Sequence, residues 1–90
     1  MIYLVKIKKI DNSYTDYSID YPDFNIDDEV PCMIEYRKQC SSAWDQQRQN
    51  EWWDFVDAVL QQENISLSDF VLVWNVTCNG IIYGNENQPV

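Results

Sequence analysis

The 90-residue chain has no histidine, two glycines, three cysteines and, after Arg48, no positive charge at all. Each shortage excludes something. Without histidine there is no imidazole general base and no Ser-His or Cys-His nucleophile pair. With only Gly80 and Gly84, no glycine-rich loop is available to cradle a phosphate. Cys32, Cys40 and Cys78 are odd in number and show no Cys-x-x-Cys spacing. Reduced, buried thiols are therefore expected, with neither a disulfide framework nor a zinc site. No apolar run approaches the roughly 20 residues of a membrane span. The opening Met-Ile-Tyr-Leu-Val-Lys places its charge after the apolar residues, the reverse of a secretory signal. A cytoplasmic location is expected, in the host cell if the gene belongs to a phage, and the sequons at Asn64 and Asn75 then carry no chemistry.

What is present is acid. Six acids, Glu51, Asp54, Asp57, Glu63, Asp69 and Glu86, follow Arg48, and the stretch 11–36 holds eight acids and no base. The cations form two small groups, Lys6/Lys8/Lys9 and Arg37/Lys38/Arg48. The net charge is −9. Such a field repels nucleic acid and anionic lipid and attracts basic protein surfaces. By the usual size scaling a chain of this length spans roughly 30 Å, over which B-form DNA carries about 18 phosphates. Nine net charges gathered on one side reach about half that density. The chain is nevertheless 46% hydrophobic and 14% aromatic, too apolar for an acidic disordered tail. One folded domain is expected over 1–90.

The pattern predicts an α+β domain: an antiparallel sheet of four or five strands with one long amphipathic helix on one face. Residues 2–10 alternate, with Tyr3, Val5 and Ile7 opposed to Lys6 and Lys8; residues 14–21 alternate again, with Tyr17, Ile19 and Tyr21 opposed to Asp16, Ser18 and Asp20. Joined by the turn-forming Asp11-Asn12-Ser13, they read as a hairpin that sets Lys6 and Lys8 near Asp16 and Asp20. An acidic loop over 22–31 follows. Residues 32–39 fit a strand or a helix, with a slight lean to the strand. The helix is expected over 42–63, opened by Ser42 with Asp45 and closed at Asn64. Its apolar stripe is Trp44, Trp52, Phe55, Val56, Val59 and Leu60. Residues 70–78 read as a central strand with Phe70, Leu72, Trp74 and Val76 on one face. Asn79-Gly80 is a strong hairpin signal, and 84–90 read as a fraying tail.

No catalytic, cofactor or metal residues are expected. Carboxylates are plentiful, but a domain this small has little room for a substrate cleft, and Asp27-Asp28-Glu29 lacks the spacing and the turn glycine of an EF-hand. The candidate residues are partner-binding ones. Glu51, Asp54 and Asp57 recur every three positions on the helix, about 5–6 Å apart. Asp23, Asp27, Asp28 and Glu29, with Asp20, would extend that row if the loop folds beside the helix. Trp53, about 100° round the helix from Trp52, is expected at the rim as an aromatic anchor for an arginine.

The favoured reading is a non-enzymatic acidic inhibitor that blocks the basic nucleic-acid-binding site of another protein, a nuclease or nucleic-acid-binding protein. In size, charge and lack of catalytic residues the chain resembles the small acidic inhibitors that phages and mobile elements turn on host defences, the anti-CRISPR and anti-restriction type. That resemblance matches no motif and transfers no residue roles. Alternatives are an immunity protein neutralising a toxin nuclease, and a structural or assembly protein of a phage or mobile element. A homodimer is compatible with the favoured reading, since it would double the charge and lengthen the acidic row.

Overall fold

The computed structural model describes residues 1–26 and 46–87. Four strands, β1 (Ile2–Lys9), β2 (Tyr14–Asp20), β3 (Phe70–Cys78) and β4 (Ile81–Gly84), and one helix, α1 (Gln46–Gln62), make up the described fold. The strands form one antiparallel sheet in the order β2-β1-β3-β4. The α+β expectation holds. The described helix has 17 residues, and the expected cap at Ser42, the stripe residue Trp44 and the 32–39 segment lie outside the described residues.

The turns follow from residues that tolerate positive φ. At the β1–β2 turn, Asn12 (φ 67°) follows a tight turn closed by its amide on the Lys9 carbonyl. The Ser13 amide donates to Asp11 Oδ1 at 2.9 Å. This is a three-residue hairpin loop with a left-handed residue at its end. At the β3–β4 turn, Asn79 and Gly80 are both left-handed, at φ 54° and 78°, as a type I′ hairpin requires. Helix α1 ends in a Schellman motif: Asn64 at φ 54° donates to the Gln61 carbonyl and the Ile65 amide reaches back to Leu60.

One sheet face is covered by α1. Tyr3, Val5, Ile7 and Ile19 point into it, as their alternation predicts. The β3 contribution differs from the expected one. Its pairing with β1 skips Trp74 and then Val71, so two bulges each add a residue to β3 and reverse its side-chain parity. Val76 faces the core, then Val73, then Phe70, while Trp74 and Leu72 are only half-buried. Trp74 lies on the opposite, outer face, edge-on to Tyr14 at 5.4 Å, with its Nε1 donating to the Asn87 carbonyl.

The buried residues of α1 are Gln49, Trp52, Trp53, Phe55, Val56, Val59 and Leu60. At about 100° per residue they span about 160° of the helix surface, wider than the single stripe read from the sequence. Phe55 sits at one margin and Trp53 at the other. Trp53 is 3% exposed, so its expected place at the rim is overturned. An aromatic cluster forms round Phe55, whose ring lies 4.9 Å from Phe24, 5.1 Å from Tyr3, 5.2 Å from Tyr21 and 5.8 Å from Trp52. Such contacts each add about 0.5–1.5 kcal/mol beyond area burial. Phe24 and Ile26 thereby anchor to the core a segment that the sequence marks only as acidic loop.

The start of the C-terminal tail is tied down. Asn85 donates to the Trp74 carbonyl through both its amide and its side chain, and the Asn75 side chain donates to the Asn85 carbonyl at 2.7 Å. Residues 88–90 lie outside the described residues. No described helix is long and apolar enough to cross a membrane.

Candidate functional site

Helix α1 carries the three acids that the sequence singled out. Glu51, Asp54 and Asp57 follow one another about 60° apart, so they wrap about 120° of the helix and rise about 9 Å along it. Asp54 is exposed; Glu51 and Asp57 flank it and are half-buried. Glu51 accepts a hydrogen bond from the Gln47 side chain at 3.3 Å, one turn earlier.

Tyr21 belongs with these acids, and the sequence did not assign it there. Alternation placed it only on the core face of β2. Its ring stands against Phe55 and Phe24. Burial pushes its phenol above the ordinary value, and the charges of Asp54, Asp57 and Glu51 push it further. All three carboxylates therefore share one electrostatic neighbourhood with a phenol that stays protonated. The only available signal was position: Tyr21 ends the alternating run just before Pro22, where a side chain can turn toward the helix.

The other candidate acids do not join this group in the described fold. Asp23 is exposed and borders a separate half-open cavity of about 140 Å³, shared with Met1, Tyr3, Phe24, Cys78 and Tyr83. Ligand pockets run to roughly 300–1,000 Å³. Burial raises the Tyr3 phenol, whose hydroxyl donates to the Pro22 carbonyl at 3.4 Å. Cys78, a buried free thiol, contacts the Met1 sulfur at 3.1 Å. Asp20 pairs with the N-terminal ammonium at 3.0 Å. Asp27, Asp28 and Glu29 lie outside the described residues. Trp53 is in the core and offers no exposed ring to a partner.

The N-terminal lysines are occupied near the hairpin. Lys6 meets Asp16 at 3.4 Å, as expected. Lys8 lies instead over the Tyr14 ring at 5.9 Å, because the register places Tyr14 and not an acid opposite it. Lys9 lies over Tyr17 at 5.3 Å. Among the described residues no group of three His, Cys, Asp or Glu side chains is arranged to hold a metal ion.

Comparison with protein-family models gives no match. Neither curated proteins nor solved structures show a significant similarity to the chain.

Proposed function

We propose that this chain is a non-enzymatic acidic inhibitor that covers the basic nucleic-acid-binding site of another protein. The observation that carries the reading is the placement of Glu51, Asp54 and Asp57 along one side of a helix whose other side is locked into the core by Trp52, Phe55 and Val56. Carboxylates on a rigid support lose little freedom on binding. A partner groove built for phosphates meets them with its own lysines and arginines, and attraction of that kind speeds encounter and selects the partner. Tyr21, neutral and amphipathic, supplies the kind of aromatic contact found at binding hot spots.

The test is capture by tagged protein from nuclease-treated lysate of the natural host, with elution in rising salt and identification by mass spectrometry. A basic nuclease or nucleic-acid-binding protein that elutes at intermediate salt, is displaced by added DNA, and is lost from the Asp54→Lys/Asp57→Lys variant supports the reading. Full retention of that partner by the folded double variant refutes it.

A further inference from the structure

We infer that the outer face of the sheet, opposite α1, is a self-association surface whose occupant is a second copy of this chain. The pairing register builds an uninterrupted row across the sheet, Ser18–Leu4–Thr77–Ile82. Ile2 lies two residues before Leu4 on the same face. Ile2, Leu4 and Ile82 are 59%, 44% and 38% exposed. Toward the other end of the same face lie half-buried Leu72, Trp74 and Tyr14. The aliphatic cluster therefore belongs to one continuous sheet face and is not a scatter of single exposed residues.

Charge decides the occupant. The chain carries −9, yet on this face Lys6 pairs with Asp16, the N-terminal ammonium pairs with Asp20, and Lys8 lies over Tyr14, so no acidic excess remains there. A basic partner gains nothing in attraction from a balanced face. A second copy meets the least repulsion there, because back-to-back sheets leave both α1 helices, with Glu51, Asp54 and Asp57, pointing away from the contact. The face can also pair with itself apolar end to apolar end. Ile2 and Leu4 lie toward one end, and Leu72 and Tyr14 toward the other. A twofold axis in the contact plane, crossing the strands, brings the Ile2 end of one copy over the Tyr14 end of the other, as an isologous dimer contact requires.

Size sets the strength. Four strands at about 4.8 Å spacing make a face roughly 19 Å wide, and the eight residues of β1 run about 25 Å along it. Face-to-face contact covers on the order of 500 Å² per copy, at the low end of specific interfaces. The dimer is therefore weak and concentration-dependent. It also strengthens with salt, since screening removes the repulsion between two acidic chains. That sign is opposite to the one expected for binding a basic partner. The inference does not rest on the proposed inhibitor function, since it uses the other face of the molecule.

The experiment is sedimentation equilibrium of the full chain from about 10 μM to about 1 mM, at ionic strengths of about 0.05 and 0.5 M. The expected result is a monomer–dimer equilibrium that tightens at the higher salt. Leu4→Lys and Ile82→Lys, each checked for folding by circular dichroism, should weaken it at least tenfold. Leu67→Lys, at a 53% exposed position in the α1–β3 connection, should leave it unchanged. A strictly monomeric wild type at about 1 mM in high salt overturns the inference. So does a dimer that folded Leu4→Lys and Ile82→Lys leave intact, or one that Leu67→Lys disrupts equally.

Discussion

Tyr21 stands edge-on to Phe55, 5.2 Å between ring centroids at 75°, and this contact ties the end of β2 to the helix that carries the acids. Because Tyr21 is held there, its phenol feels burial first and then Asp54, Asp57 and Glu51.

The titration of Tyr21 tests this arrangement. Its folded pKa lies above the ordinary 10.0, so the folded state holds the phenolic proton more tightly than the unfolded chain does. Its contribution to stability is complete below about pH 10 and is lost as pH rises through the folded value. Tyr3, raised by burial, acts in the same direction. Denaturant midpoints should therefore fall steeply on the alkaline side, and less steeply in Tyr21→Phe. Asp54→Asn and Asp57→Asn should each lower the Tyr21 midpoint followed by ultraviolet absorbance. An unmoved midpoint in both would mean that the carboxylates do not converge on it.

Trp53→Ala distinguishes core from rim. An indole 3% exposed leaves a large cavity when truncated, and the expected loss is about 3–5 kcal/mol. A rim tryptophan would cost only a few tenths of a kcal/mol by the same denaturation measurement. Phe55→Ala, at the centre of the aromatic cluster, should lose at least as much as Trp53→Ala.

Asn64 reports on the helix end. At φ 54° an asparagine is tolerated, glycine is at home, and a β-branched residue is strained. Asn64→Gly should be neutral to within about 0.5 kcal/mol, whereas Asn64→Val should cost about 1–2 kcal/mol. Equal stability of the two variants in thermal unfolding would argue against the left-handed cap.

Gly80→Ala isolates backbone strain. A methyl group there meets nothing within 4 Å, yet φ is 78°. The expected cost of about 1 kcal/mol is conformational alone. A much larger loss of stability in urea would imply a steric contact that the fold does not contain.

The sequence by itself determined the features governed by local chemistry. Alternation fixed the burial of Tyr3, Val5, Ile7 and Ile19. Positive-φ residues placed the turns at Asn12 and Asn79-Gly80 and the cap at Asn64. Helical spacing put Glu51, Asp54 and Asp57 on the solvent side of α1. The tertiary structure decided what depends on neighbours distant in the chain. Two bulges in β3, visible only in its pairing with β1, moved Trp74 and Leu72 off the core face and put Val73 on it, while the second restored Phe70 to the face expected for it. The breadth of the surface that α1 covers buried Trp53 beside Trp52, which spacing alone could not foresee. Tyr21 packs on Phe55 of the acid-bearing helix, whereas Asp20 sits on the outer face opposite Ile2 and Asp23 borders the separate cavity. Periodicity records which side of an element a residue occupies; the partner element sets how much of that side is buried and in what register.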